Sequence, residues 1–145
     1  MRTSAFSKIT AALVEMLRAD PPLAEVVYRA RSRVVPEKAA TAINVQFNGA
    51  LPSASVIAGA PIDWVSKFSI ECLARGSVTV GSDEAMDPLL LGVFDRIAAD
   101  RTLGGLVDDI GEPMIEADYS AEGEKTGWVC LTYPVEHRTQ NSTLE

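Results

Sequence analysis

Residues 64–74 alternate without a break. Trp64, Ser66, Phe68, Ile70, Cys72 and Ala74 fall on one side, and Val65, Lys67, Ser69, Glu71 and Leu73 on the other. Successive side chains of an extended chain point to opposite faces, so the pattern describes a strand and cannot describe a helix of period 3.6. At roughly 3.3 Å per residue such a strand runs about 33 Å. It must lie within a sheet, with a second layer covering its apolar face. Residues 42–48 repeat the pattern, with Ile43, Val45 and Phe47 against Asn44, Gln46 and Asn48. The two segments are expected to pair as a hairpin. The stretch between them, residues 48–62, is rich in small residues and follows neither period, so it reads as a long loop.

Two helices supply the covering layer. Phe6, Ile9, Leu13, Met16 and Leu17 recur at three- and four-residue spacing, with Ser4 or Ser7 placed to cap the start and Asp20-Pro21-Pro22 to end the run. A second stripe, Met86, Leu90, Val93, Phe94 and Ile97, follows a start at Ser82 or at Asp87-Pro88 and runs toward Arg101. Residues 26–35 read as a strand with Arg29, Arg31 and Arg33 on one face and Tyr28 and Ala30 on the other. Leu103-Gly104-Gly105-Leu106 breaks the helical pattern. Residues 107–119 then read as short strands interrupted by Gly111 and Pro113, and residues 120–127 as a polar turn. Gly127, Val129, Leu131, Tyr133 and Val135 alternate in a closing strand, which Pro134 is expected to confine to an edge or mark with a bulge. The expected fold is therefore α+β: a largely antiparallel, mixed sheet of about four to five strands with two main helices packed on one face.

The 145 residues form a single domain, 1–145, large enough to bury roughly 70% of its unfolded surface without a disulfide or metal staple. With 47% hydrophobic and 23% charged residues, the composition is that of a globular chain. The longest apolar run, residues 89–94, falls far short of the roughly 20 residues that a membrane helix needs. Glu15 and Arg18 interrupt the first segment, which leaves no signal-peptide core and places the chain in the cytoplasm with reduced thiols. The closing Leu144-Glu145 reads as a remnant of expression and carries no weight.

The net charge of −7 is unevenly distributed: residues 1–75 carry +3 and residues 76–145 carry −10. Asp108, Asp109, Glu112, Glu116, Asp118, Glu122 and Glu124 face only Lys125 within residues 107–126. An acidic chain of this kind lacks the basic footprint that gripping nucleic acid requires.

The sequence offers no catalytic constellation. His137, the one histidine, stands near the terminus between Glu136 and Arg138 and reads as a surface residue. Cys130 lies seven residues away, an odd offset that places it on the opposite face of the same strand. Cys72 shares its face with Trp64, Phe68 and Ile70 and reads as a buried, inert thiol. There is no phosphate loop, dinucleotide fingerprint, nucleophile elbow or zinc-ligand spacing. The expectation is a protein that is not an enzyme and uses no cofactor and no metal.

The order of elements resembles that of the tail terminator and minor tail proteins of long-tailed bacteriophages. The resemblance spans most of the chain. It runs from the first helix ending in Ala19-Asp20-Pro21-Pro22-Leu23, through Val27-Tyr28-Arg29-Ala30-Arg31, to the paired strands around Ile43-Asn44-Val45 and Phe68-Ser69-Ile70-Glu71-Cys72-Leu73-Ala74-Arg75-Gly76. The helix from Ser82, the Leu103-Gly104-Gly105-Leu106 segment and the closing Val135-Glu136-His137-Arg138-Thr139 complete it.

The resemblance implies a structural virion protein of the tail, assembled in the host cytoplasm. It implies a homohexameric ring that caps the tail tube, stops its polymerisation and presents the surface for head-tail joining. The implied partners are further copies of the chain, the major tail tube protein and a head-completion or connector protein, with no membrane and no specific nucleic acid. Six compact domains, each about 38 Å across, leave a hole about one domain wide, through which duplex DNA passes.

Rings use heterologous contacts, in which one patch meets a different patch of the neighbour. Arg29, Arg31 and Arg33 are accordingly expected to face Asp108, Asp109, Glu112 and Glu116 of the next subunit. The loops at 48–62 and 119–127, with Leu51, Ser53, Val56, Ile57, Glu122, Glu124 and Lys125, are expected to be mobile in the monomer and to order on the tube or the head. Two other readings stand beside this one. One is a different neck, head-completion or minor tail component; the other is a small cytoplasmic binding domain with a pocket around Trp64 and Trp128.

Overall fold

The computed structural model describes residues 1–30, 39–53, 59–77, 79–119, 126–140 and 143–145. The order of elements is α1 (Ala5–Arg18), β1 (Val26–Arg29), β2 (Thr41–Pro52), β3 (Ile62–Arg75), α2 (Ser82–Ala99), β4 (Asp109–Ile110), β5 (Met114–Tyr119) and β6 (Thr126–Thr139). The six strands form one mixed sheet in the order β1-β2-β3-β6-β4, with β5 also on β6. Because β4 and β5 share one position, the sheet is five strands wide. Only β1 and β2 run parallel. The α+β class, the antiparallel bias and the two helices agree with the sequence.

The central hairpin has the register that the alternation requires. Ile43 lies opposite Cys72, Val45 opposite Ile70 and Phe47 opposite Phe68. On the other flank of β3, Phe68, Ile70 and Cys72 meet Tyr133, Leu131 and Val129. These side chains share one face, and both helices cover it. α1 contributes Ile9, Leu13, Val14 and Leu17, and α2 contributes Met86, Leu89, Val93 and Ile97; all are buried. The buried positions of α2 follow strict three- and four-residue spacing. Leu90 and Phe94, expected within the stripe, lie at its margin and are partly buried.

Ser4 caps α1, its hydroxyl accepting the N–H of Ser7 at 3.2 Å. The helix ends where the Asp-Pro-Pro sequence requires. Its terminal carbonyls are taken by Arg96 of α2, whose guanidinium donates to Ala19 O at 2.8 Å, Pro21 O at 2.6 Å and Met16 O at 3.3 Å. α2 begins at Ser82, and Pro88 lies inside it on the exposed side. Proline has no N–H, so the Glu84 carbonyl loses its helical donor. No helix is long and apolar enough to cross a membrane among the described residues.

Four local expectations require correction. Of the strand expected over residues 26–35, β1 covers 26–29 and is interrupted at Ala30, which takes φ 50°, a left-handed conformation; residues 31–35 lie outside the described residues. The loop expected at 48–62 is shorter. β2 continues to Pro52 after an irregularity between Phe47 and Ala50, where Gly49 takes φ 115°, and β3 resumes at Ile62. At the other expected loop, 119–127, Tyr119 belongs to β5, while Thr126 and Gly127 belong to β6. Finally, β6 lies inside the sheet. Its Pro134 faces the break between β4 and β5: from Ile110 to Met114 the chain takes four steps while β6 takes three, from Val135 to Thr132. The missing proline N–H therefore costs no ladder bond with β3.

Candidate assembly surface

Among the described residues, Arg29 and the acids of residues 108–118 lie at opposite edges of the sheet. Asp108 leads into β4, and its N–H donates to Glu136 O at 2.8 Å. Asp109 is in β4, Glu112 in the break, and Glu116 and Asp118 in β5; all are exposed. Glu112 receives Arg101 Nη2 at 2.5 Å. Arg29 is in β1, at the far edge. Four strand spacings separate the two edges, roughly 19 Å. The opposed charges therefore do not meet across one sheet. Arg29 is also engaged within the chain, its Nη2 donating to Ser7 Oγ at 2.6 Å and Ser7 O at 3.1 Å. Arg31 and Arg33 lie outside the described residues, as do Val56, Ile57, Glu122, Glu124 and Lys125.

The two remaining loop candidates belong to the hairpin. Leu51 is a strand residue opposite Val65 and is 72% exposed. Ser53 closes the hairpin end, its N–H donating to Asp63 O at 2.8 Å. Asp63 is held in turn by Arg138, with Nε to Oδ1 at 2.7 Å and Nη2 to Oδ2 at 3.1 Å. That bond pulls the Asp63 carboxyl below its ordinary range.

His137 is not a surface residue. It lies on the covered face of β6 with 3% exposure, its Nε2 2.6 Å from Ser66 Oγ on β3. The ring meets Phe6 of α1 edge-on, with centroids 5.4 Å apart, and Phe6 in turn stacks on Phe47 and meets Trp64 edge-on. Its Nδ1 has no partner among the described residues. Ser66 is fully buried, so the pair joins β3 to β6 beneath α1, and the Phe6 contact seats the start of that helix on it. The signal was present in the sequence, since 137 has the same parity as Val135 and continues the inward face. Cys130 is on the other face, as its odd offset requires, and burial pushes the Cys72 thiol up to about 12.

Burial holds the His137 imidazole below its ordinary pKa, with Asp108 pulling weakly the other way. The unfolded chain therefore takes up the proton first. Stability is fully present above about pH 6.5 and falls as pH drops below it, by at most about 1.4 kcal/mol per unit. Urea titrations between pH 7.5 and 5 should show this slope, and it should flatten in His137→Gln.

The tryptophans do not line one pocket. Trp64 lies on the covered face, opposite His137, and borders a cleft of about 310 Å³ with Asp63, Asp108 and Arg138. Trp128 lies opposite Leu73, on the other face of the sheet and toward the other end of the strand. Among the described residues no group of three His, Cys, Asp or Glu side chains is placed to hold a metal ion.

No family model and no curated protein matches the sequence. Among solved structures, the fold is similar to a chain of the "virion of native gene transfer agent (GTA) particle", with a TM-score of 0.51 and 16% identity, over 90% of this chain and 95% of that one. At that identity the likeness establishes that the two chains share a fold.

Proposed function

We propose that this chain is a structural component of a phage-like virion, and that within it the chain forms the ring that caps the tail tube and receives the head. The observation that carries this reading is the whole-domain correspondence with a gene transfer agent virion chain. Nearly all of both chains is used, so the likeness is not that of a shared fragment. The surface supports it as well. A sheet with an acidic edge at β4 and β5 and Arg29 at the other edge suits head-to-tail contacts between copies. In this role no bond is made or broken. The ring complements the last ring of the tube on one side, offers the next tube subunit no equivalent surface on the other, and leaves room for DNA through its centre. Further copies of the chain, the tail tube protein and a head connector are the partners of such a cap.

Electron microscopy of particles made without this chain tests the reading. Tails of uncontrolled length lacking heads are expected, with normal length restored by complementation. Tails of normal length that fail to join heads would assign the chain to the neck instead. Normal, complete particles would overturn the reading.

A further inference from the structure

β5 is an outer strand of the sheet. Natural sheets guard their edges with charged side chains, Lys above all, with Pro, short strands or a covering loop, and the charge on β5 is of one sign only, Glu116 and Asp118. β5 has six residues, contains none of Lys, Arg, Pro or Gly, and is exposed along its whole length on both faces. Three large apolar side chains stand on it, Met114 (59% exposed), Ile115 (49%) and Tyr119 (44%).

The direction of its free backbone groups follows from its neighbour. Gly111 N–H donates to Pro134 O and Asp108 N–H to Glu136 O, so the even-numbered backbone groups of β6 point toward β4 and β5. In the register that pairs Met114 with Thr132, Glu116 with Cys130 and Asp118 with Trp128, those three β5 residues bond to β6. The N–H and C=O groups of Ile115, Ala117 and Tyr119 point outward.

We propose that this edge is where a second copy of the chain adds, through its β1 edge, so that the sheet continues from copy to copy. The inference rests on the side-by-side assembly proposed above and names the strands that meet in it. The sheet has two outer edges, so a second copy can offer either β5 or β1. Two β5 edges would bring together the acids of residues 107–119, five on each copy with no Lys or Arg among them. β1, Val26–Arg29, carries Arg29 and no acid. Charge thus favours β1 and opposes β5.

Direction permits β1 as well. β1 runs with β2, β2 against β3, β3 against β6, and β6 against β5, so β5 and β1 of one copy are antiparallel. Rotating a copy about an axis along the strands keeps those directions, and β5 then meets the neighbour's β1 in the more stable antiparallel sense. In the free chain, Arg18 Nη2 covers the outward Val27 O at 2.7 Å. This guards the short β1 edge until the longer β5 arrives.

Ala117→Pro removes the middle outward N–H of β5 and no bond to β6. The variant is expected to retain its circular dichroism and to melt within a few degrees of the unchanged chain. Its self-association, read by sedimentation at low salt or by rings on tail tubes, should fall at least tenfold. Glu116→Lys with Asp118→Lys should weaken association similarly and reduce its salt dependence. If the proline variant loses its fold, amide exchange of the unaltered chain decides: residues 115, 117 and 119 exchange freely in the monomer and should become protected on assembly, together with those of β1. Rings that form normally with Ala117→Pro, or protection that appears elsewhere, would overturn the strand assignment alone. Absence of any ring from the unaltered chain on tail tubes would overturn the assembly reading beneath it.

Discussion

Phe68→Ala should lower the unfolding free energy by about 3–5 kcal/mol, the range for removing a fully buried aromatic ring. Phe68 has no exposed surface. It lies at the middle of β3 between Phe47 and Tyr133, with the Phe47 ring centroid 5.3 Å away. The surrounding side chains come from three strands whose register is fixed on both sides, so the cavity cannot collapse cheaply. Against a total stability of about 5–15 kcal/mol, the loss leaves a marginal domain and lowers the melting temperature by roughly 10–15 °C. Urea denaturation followed by circular dichroism measures it. A shift below about 1 kcal/mol would mean that the ring is not packed as described.

Arg96→Ala should cost about 2–3 kcal/mol, although no core atom is lost. The guanidinium reaches from α2 to carbonyls at the end of α1 and just beyond, which have no partner within that helix. Hydrogen bonds from a charged donor are the stronger kind, and the cation also meets the negative end of the helix dipole. Arg96→Lys keeps the charge but not the fork that spans Ala19 O and Pro21 O, so it should recover less than half of the loss. Thermal melts of the two variants against the parent chain test this. Equal stability of the lysine variant and the parent would reduce the contact to simple charge.

The elements with a strong period were legible in the sequence. The alternation of 64–74 and 127–135 and the helical stripe of α1 reappear with the expected inward faces, because burial of one face is what those patterns encode; in 42–48 Ile43 and Val45 do so, whereas Phe47 is partly exposed and Asn44 is buried. The boundaries were not legible where no side chain announces them. Ala30 leaves the strand through a backbone torsion that alanine rarely adopts, and residues 50–52 are strand only because β3 holds them in register beyond the irregularity at Gly49. Pro134 misled for a physical reason. A missing donor bars a residue from a central strand only if a partner faces it, and here the partner strand is interrupted.

The surface was legible only in part. Charge counts separated basic from acidic segments. That Arg29 and the acids of residues 108–118 would occupy opposite edges of one sheet depends on the parallel placement of β1 beside β2, which no local pattern specifies. The short strands within 107–119 were legible from Gly111 and Pro113, but the exposure of Met114 and Ile115 on β5 was not, since it depends on β5 taking the outer place beside β6.

The place of β6 has a consequence for the order in which the molecule forms. Its partners in β3 lie between 51 residues away, at Arg75–Thr126, and 77 residues away, at Ile62–Thr139. The pairing at the middle of the sheet is thus among its least local. Closing such long loops is slow compared with forming a helix or a hairpin, so folding should be limited by the arrival of β6. During synthesis, β2 and β3 can pair early, but the apolar flank of β3 waits until residues 126–139 have left the ribosome. The chain therefore completes its sheet from the inside last, and its assembly-competent outer strand β5 becomes anchored only by that final step.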